Sequence, residues 1–223
     1  MKIKRVLFGC FMVMQFNSFC QEYIVNLDDR NETINLTNQA INCIKNSKIS
    51  DAFTVLEKAI SIDSTFRPSY LYLYKVYLQD YNYSEKVIFY LKKAKRIFLE
   101  DDEIAFYLGE IYRMNSELKK AILEYSYAII YSKKNGEDFP LVKSYYLNRG
   151  NCYFKLNEID SALLDYNYTI KLNPNNPNAL LNRGTCLFKQ GHFNEACEDW
   201  KKSQLLGNSV AKQYLEKYCK SDK

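Results

Sequence analysis

The sequence repeats itself with a period of 34 residues, and this period constrains the fold more than any other feature. Residues Asn148–Asn157 read NRGNCYFKLN, and residues Asn182–Gly191 read NRGTCLFKQG. The same offset relates two further pairs, Ala162 with Ala196 and Tyr166 with Trp200. A period of about 20 to 50 residues is typical of stacked repeat architectures, in which one repeat cannot bury its apolar face alone.

Small residues predict that each repeat is a pair of antiparallel helices. A glycine or alanine in the first helix precedes an alanine in the second helix by 12 residues. Small side chains at both places allow the two helix backbones to approach closely. The first-helix positions are Ala40, Gly109, Gly150 and Gly184, and the second-helix alanines are Ala52, Ala121, Ala162 and Ala196.

Two repeats depart from this spacing. In the second repeat Tyr74 replaces the small residue and lies 13 residues before Val87, so we expect that helix pair to be splayed or shifted. The third repeat is longer, because Gly109 and Gly150 are 41 residues apart. The extra residues lie within 132–140, which predicts either an extended loop or a lengthened helix end.

The pattern resembles the tetratricopeptide repeat family over about residues 33–210. The resemblance implies an all-α fold: a right-handed α-solenoid of about five helix pairs plus a C-terminal capping helix, in one quasi-linear domain at 33–220. A short segment, 21–32, precedes this domain. The end of the chain, residues 196–219, resembles exported bacterial members of the family. The expected repeats are 33–66, 67–101, 102–142, 143–176 and 177–210, and the expected cap is 208–220, where Val210, Tyr214, Leu215 and Tyr218 share one helical face.

Residues 1–20 have the parts of a secretory signal peptide. A basic segment at 1–5 precedes an apolar run from Val6 to Phe16, and Ser18 and Cys20 supply small residues for cleavage. The run is shorter than the roughly 20 apolar residues that span a bilayer. We therefore expect an exported protein that is periplasmic or envelope-associated. Cleavage after Cys20 is the first expectation, and a lipoprotein anchored through Cys20 is the alternative.

The charge balance argues against a polyanionic partner. The full chain has a net charge of +5, and residues 1–20 contribute three cations and no acid to it. The rest of the chain is nearly neutral, which does not indicate binding to nucleic acid or to an anionic membrane surface. We also expect no membrane insertion once the signal peptide has been removed.

No pattern of residues indicates catalysis. His192 is the single histidine, which excludes sites that need two imidazoles. No glycine-rich phosphate loop occurs, and acidic runs such as Asp101–Glu103 have the placement of helix-capping residues. We predict that the chain is not an enzyme, with no cofactor and no metal.

Five cysteines remain if cleavage follows Cys20: Cys43, Cys152, Cys186, Cys197 and Cys219. Cys152 and Cys186 occupy equivalent places in adjacent repeats, where stacked helices are about 9–10 Å apart. We expect these two thiols to stay unpaired, because a disulfide needs closer Cα atoms. Cys197 and Cys219 are the pair that can form a disulfide, because the capping helix should fold back onto the last repeat.

The first helices are expected to line a concave groove. On each of them the third residue before the small position, the first after it and the fourth after it form a stripe facing the groove. Many members are apolar, which suits an extended peptide or an amphipathic helix. Some family members grip a C-terminal carboxylate with a lysine and an asparagine; Asn151 matches one such place, but Leu147 stands where the lysine is needed. The stripe residues are Leu71, Lys75, Leu78, Phe106, Glu110, Arg113, Leu147, Asn151, Phe154, Leu181, Thr185 and Phe188, with Thr37, Ile41 and Ile44 in the first repeat.

These observations favour an exported scaffold that holds a peptide or protein partner in the groove. Two alternatives remain open. Tandem repeats can stack end to end, which would make a self-associating structural protein. Aromatic groove residues would also suit a carrier of a small envelope-derived ligand.

Overall fold

The computed structural model of the chain describes residues 25–136 and 139–219, so the predicted signal peptide and Cys20 lie outside the described residues. The described residues form eleven α-helices, a short 3-10 helix at Tyr81–Tyr83 and no strand, and the all-α prediction is confirmed. The helices are α1 (Leu27–Lys45), α2 (Ile49–Ile62), α3 (Arg67–Gln79), α4 (Ser84–Ile97), α5 (Asp102–Met114), α6 (Leu118–Asn135), α7 (Val142–Lys155), α8 (Ile159–Leu172), α9 (Pro177–Lys189), α10 (Phe193–Leu205) and α11 (Ser209–Tyr218).

The chain divides into two compact units. The N-terminal unit is Met1–Leu99 and contains α1 to α4, and the C-terminal unit is Glu100–Lys223 and contains α5 to α11. Each expected repeat contains one helix pair, although α1 already begins at Leu27, within the segment expected to precede the repeats.

Asparagine and proline set the boundary between the last two repeats. α8 ends at Leu172, and α9 begins at Pro177, where the ring has the backbone angle of a first helical turn. The side-chain oxygen of Asn176 accepts hydrogen bonds from the backbone N–H groups of Asn178 and Ala179, at 3.1 and 3.0 Å. Both N–H groups would otherwise lack a partner at the helix start.

A left-handed residue closes the turn inside four of the helix pairs, seven residues after the small position. These residues are Ser47, Ser116, Asn157 and Gly191, with φ between 58° and 85°. The residue that follows each of them donates its N–H back to the last turn of the first helix; for example, the N–H of Glu158 donates to the carbonyl of Tyr153 at 2.9 Å. The pair α3–α4 instead has the 3-10 helix at Tyr81–Tyr83, at the place where the spacing of Tyr74 predicted an irregular pair.

Glycine in the first helix makes room for an aromatic ring of the second. A Cβ at Gly150 would lie 2.9 Å from the Tyr166 ring, and one at Gly184 would lie 2.8 Å from Nε1 of Trp200. Tyr166 and Trp200 are fully buried, so neither ring can move aside at low cost. The residue that faces each glycine is therefore an aromatic one turn after the alanine that the spacing had singled out.

The extra residues of the third repeat lengthen a helix. α6 has 18 residues, whereas α2, α4 and α8 have 14 each. α6 ends before Gly136, whose φ of 98° suits a residue without a side chain. Part of the extra length thus lies in a lengthened helix end, and the rest lies in the connection between α6 and α7, where 137–138 are outside the described residues.

A disulfide and two tyrosines attach the cap to the last repeat. Cys197 of α10 and Cys219, directly after α11, are joined, with their Cα atoms 5.8 Å apart. The rings of Tyr214 and Tyr218 lie 5.0 and 6.0 Å from that of Trp200. Val210, which was expected on the same buried face, is exposed.

None of the helices in the described parts of the chain has the length and apolarity needed to cross a membrane.

Candidate binding site

The C-terminal unit contains a cleft of about 270 Å³ that is lined by residues of three first helices, α5, α7 and α9. Arg113 lies at the end of α5, Lys155 is the last residue of α7, and Asn182 lies in the middle of α9. Three of the cleft residues, Arg113, Asn151 and Phe154, were predicted from the groove stripe. The lining residues are Arg113, Asn151, Cys152, Phe154, Lys155 and Asn182.

Two asparagines from adjacent repeats are joined at the cleft. The side-chain oxygen of Asn151 accepts a hydrogen bond from Nδ2 of Asn182 at 2.8 Å and one from the hydroxyl of Tyr166 at 2.9 Å. Tyr166 reaches Asn151 because Gly150 lets its ring cross the first helix. The orientation of the Asn151 amide is thus fixed by the glycine slot and by the next repeat.

The same arrangement occurs one repeat earlier, with a carboxylate in place of the amide. Glu110 is buried and accepts hydrogen bonds from Asn148 at 2.7 Å, from Arg113 at 2.8 Å and from the hydroxyl of Tyr125. Hydrogen bonding to Glu110 raises the pKa of Arg113, and burial together with Glu110 raises that of Tyr125. Glu110 therefore serves the packing of two repeats, and it is not an open contact of the groove as the stripe had predicted.

Positive charge and an aromatic ring surround the asparagine pair. Lys155 is exposed and makes no ion pair with any residue in the described ranges. Nζ of Lys189, the last residue of α9, lies 5.3 Å from the centre of the Phe154 ring. At the back of the cleft, burial raises the pKa of the Cys152 thiol to about 11, so this cysteine stays protonated near neutral pH. The cleft offers cations, amides and one aromatic wall.

Several predicted groove residues belong to the core. Phe106 is only 7% exposed, with its ring 4.9 Å from that of Tyr145, because α7 covers this position of α5. Phe188 is covered by the cap, with its ring 4.6 Å from that of Tyr218. Leu147 and Leu181 pack against the buried clusters around Tyr166 and Trp200. Four predicted groove residues thus take part in packing within the C-terminal unit, whereas the cleft is lined mainly by polar and cationic side chains.

The remaining stripe residues do not line the cleft. Thr185 is half-buried, and its hydroxyl donates to the carbonyl of Leu181 at 2.9 Å. The other stripe residues lie in the N-terminal unit. There Leu71, Ile41 and Ile44 are half-buried, Lys75 and Leu78 are exposed, and Thr37 is buried with its hydroxyl 2.8 Å from that of Ser69.

The groove residues predicted from sequence did not include Asn182 and Lys155, which line the cleft. Asn182 could have been found, because it repeats Asn148 in the NRG motif at the 34-residue offset. Its bond to Asn151 depends on how two repeats stack, which the sequence alone does not show. Among the described residues, no group of three or more His, Cys, Asp or Glu side chains is placed to hold a metal ion.

Comparison with known proteins identifies this architecture. A family model described as "TPR repeat" matches residues 150–191, from the glycine slot of α7 to the turn after α9. The chain has the tetratricopeptide repeat fold. Solved structures with the same fold include MamA, with a TM-score of 0.67 and 23% identity over 78% of this chain and 96% of that one.

Two further tetratricopeptide structures cover most of this chain. YrrB, described as a TPR protein with an unusual peptide-binding site, aligns with a TM-score of 0.66 and 17% identity over 85% of this chain and 94% of its own. PilF of Pseudomonas aeruginosa gives a TM-score of 0.66 and 16% identity over 87% and 95% of the two chains. At these identities the likeness establishes the fold, which is that of a tetratricopeptide scaffold.

One curated enzyme matches over part of the chain. A UDP-N-acetylglucosamine–peptide N-acetylglucosaminyltransferase of Giardia intestinalis is 31% identical over 125 residues, which are 56% of this chain. The match spans 8% of the length of that enzyme.

Proposed function

We propose that this tetratricopeptide protein is an exported scaffold that holds an extended peptide segment of a partner protein in its cleft, with an acidic side chain of the peptide beside Lys155. The observation that carries the proposal is the cleft itself. It joins three successive first helices and combines two asparagines, two cations and one aromatic ring. YrrB, which shares the fold, is described as having a peptide-binding site of its own.

The chemistry of the lining suits a peptide better than a small apolar ligand. An asparagine side chain has both a donor and an acceptor, as a peptide backbone does. Lys155 and Arg113 provide charge for a carboxylate, and Glu110 already balances part of the charge on Arg113. Phe154 supplies an apolar wall for a neighbouring side chain. Recognition of an acidic side chain in this cleft differs from the terminal-carboxylate grip of some family members, since Leu147 occupies the place of the lysine.

Binding of short peptides to the purified chain tests the proposal. Fluorescent extended peptides that differ only in carrying glutamate, glutamine or lysine at one central position would be titrated with the full chain. We expect the glutamate peptide to bind most tightly and Lys155→Glu to weaken it about tenfold, the size of one charge-assisted contact. Lys143→Glu is the matched control, because Lys143 is exposed on the same helix away from the cleft. Equal binding of the three peptides, or equal loss in both variants, would sink the proposal.

Export is the second part of the proposal and rests on residues 1–20. Mass spectrometry of the chain recovered from the envelope fraction of its own cells would give the mature N-terminus. A chain that starts after Cys20 supports secretion, and a diacylated Cys20 supports a lipid anchor. An intact Met1 in the cytosolic fraction would contradict both.

Self-association is the competing interpretation of a repeat array. Light scattering of the full chain across a wide concentration range separates the two. A mass that stays monomeric while the glutamate peptide binds supports the scaffold, and a mass that grows with concentration while no peptide binds supports assembly.

A further inference from the structure

The outer face of α4, in the N-terminal unit, presents a phenylalanine among cations. The Phe89 side chain is 64% exposed. Lys92, Lys93 and Arg96 follow it at three, four and seven residues and are all exposed, so they lie on the same side of the helix. Lys86 precedes Phe89 by three residues and is also exposed.

Most of this face lies outside the packing of α4, although Nζ of Lys86 lies 5.2 Å from the centre of the Phe53 ring. The helix is held by its opposite side, where Val87, Leu91 and Ala94 are completely buried. The Phe89 ring contacts only the edge of that packing, at 5.3 Å from the Tyr90 ring. Folding therefore leaves most of this large aromatic side chain exposed to water.

The charge of α4 is strongly one-sided. The helix carries five cations, and Glu85 is its single acid. Lys93 and Arg96 form no ion pair with residues in the described ranges. Favourable interaction with the helix dipole accounts for cations in the last turn. Lys86 lies near the helix start, and its ammonium is placed over the rings of Phe53 and Tyr83, at 5.2 and 5.8 Å from their centres.

The acids near this face are confined to one end of it. Glu57 of α2 accepts a hydrogen bond from the hydroxyl of Tyr90 at 2.9 Å, and burial together with that bond raises the pKa of Tyr90 to about 12. Glu57 and Glu85 line a shallow depression of about 310 Å³ together with Lys86, Phe89 and Tyr90, so one edge of the Phe89 ring borders this depression. An acidic peptide side chain entering this depression would meet two carboxylates. The rest of the face carries the exposed cations Lys92, Lys93 and Arg96.

We propose that this face of α4 docks on the anionic headgroups of a phospholipid surface, with Phe89 entering the headgroup region. A flat anionic surface can meet the exposed cations on one side of a helix at the same time. Lysine and arginine place long apolar stems near the lipid and their charges at the headgroups, and phenylalanine is favoured at this depth. Leu99, two residues beyond the end of α4, is 79% exposed and extends the apolar contact. The chain without residues 1–20 is nearly neutral overall, so its net charge does not reveal the local excess of positive charge on α4.

This contact is independent of the proposed peptide binding. The cleft belongs to the C-terminal unit, and none of its residues lies on α4. Loss of one activity with retention of the other would therefore separate the two proposals.

Vesicle flotation of the full chain tests the docking. Vesicles of equal parts phosphatidylglycerol and phosphatidylcholine would be compared with vesicles of phosphatidylcholine alone, and binding would be measured against lipid concentration. We expect preference for the anionic vesicles and a loss of about 25-fold or more for the double variant Lys93→Glu/Arg96→Glu, about fivefold for each cation. Phe89→Ser should also weaken binding, because the apolar contact is removed. Residues 1–20 are present in every variant, so differences between variants report on α4.

Two control variants match these changes on the C-terminal unit. Lys201→Glu/Lys202→Glu makes the same charge change at exposed positions of α10, and Leu164→Ser removes another exposed apolar side chain. Both should bind as the unchanged chain does. Equal loss in test and control variants would overturn the proposal, as would no preference for anionic vesicles. Competition by soluble polyglutamate without any vesicle binding would assign the face to an acidic protein and would also overturn it.

Discussion

Single residues decide how closely the helices of each pair approach. At Gly184 the space that a Cβ would fill is taken by Trp200 and by the carbonyl oxygen of Ala196, at 2.8 and 3.0 Å. The indole is held there by full burial and by a hydrogen bond from Nε1 to the carbonyl of Leu181 at 3.1 Å. Because ring and backbone are both fixed, this glycine is required by space, although it weakens the helix that contains it.

Gly184→Ala should therefore destabilise the protein. Alanine gains about 1 kcal/mol of helix propensity over glycine, but overpacking costs about 1–3 kcal/mol in a core that cannot yield. We expect a net loss of about 1 kcal/mol in the free energy of unfolding. Urea titration monitored by far-UV circular dichroism measures this quantity. Asn194→Ala, at an exposed position of α10, should not destabilise. A more stable Gly184→Ala protein would contradict the steric argument.

A pair of a half-buried arginine and a buried aspartate recurs at the 34-residue offset and was not foreseen. Nε and Nη2 of Arg183 both donate to Asp199, each at 2.7 Å, and Arg149 holds Asp165 in the same way at 2.8 and 2.7 Å. The third nitrogen of each arginine donates to the preceding second helix, to Asn167 and to Ser126 respectively. Each pair thus joins three helices with one side chain.

Asp199→Asn should cost about 2 kcal/mol of unfolding free energy, because the half-buried guanidinium of Arg183 loses its charged partner. Glu216→Gln is the control, since its pair with Lys212 is exposed at 3.8 Å and should contribute less than about 0.5 kcal/mol. Urea unfolding of the two variants side by side decides the matter. Equal and small losses would mean that the Arg183 pair is energetically neutral.

At the scale of elements, α11 depends on one covalent bond and one aromatic cluster. The disulfide closes a loop with a sequence separation of 22 residues, for which loop entropy predicts about 3 kcal/mol of stabilisation. Without the bond, the short α11 is held chiefly by Ala211 and the two tyrosines that face Trp200.

Reduction should loosen α11 before the rest of the C-terminal unit. Trp200 is the single tryptophan, so its emission reports directly on the cap. We expect dithiothreitol to shift the emission to longer wavelength and to speed amide exchange in 209–218. The double variant Cys197→Ser/Cys219→Ser should show the loosened signal already and respond no further to dithiothreitol. Unchanged emission and protection on reduction would show that packing alone holds the cap.

Helix pairs could be predicted from sequence because small residues, proline and a fixed period act locally. In a stacked repeat, Gly150 and Gly184 predict close approach between the two helices, and Pro177 predicts a helix start. The structure shows these features at all three positions. The accessible surface could not be predicted in the same way. Whether Phe106 faces solvent depends on how far α7 rotates over α5, a tertiary quantity that periodicity on one helix does not contain.

At the scale of the whole molecule, the division at residue 99 predicts that the C-terminal unit folds by itself. Four of the large, fully buried aromatic residues, Tyr125, Tyr145, Tyr166 and Trp200, belong to it, and so does the disulfide. Repeat arrays are stabilised by neighbour-to-neighbour contacts, so a set of complete repeats should keep its stability.

A fragment comprising residues 100–223 should unfold cooperatively in urea and give the same Trp200 emission as the full chain. A fragment comprising residues 118–223 is the control, because it lacks α5 and leaves Tyr125 without Gly109. That control should lose cooperativity or much of its stability. An unfolded 100–223 fragment, or two fragments of equal stability, would show that the division does not mark a folding unit.

The left-handed residues in the turns are positions at which substitution can raise the thermal stability of the protein. Ser47, Ser116 and Asn157 adopt a backbone conformation in which a side chain is disfavoured, whereas the last repeat uses Gly191 there. The chain therefore does not have the most stabilising residue at these three equivalent positions, as expected of proteins selected only for sufficient stability. Replacing all three residues with glycine should raise the thermal midpoint by several degrees, and a lowered midpoint would show that those side chains contribute more than their strain costs.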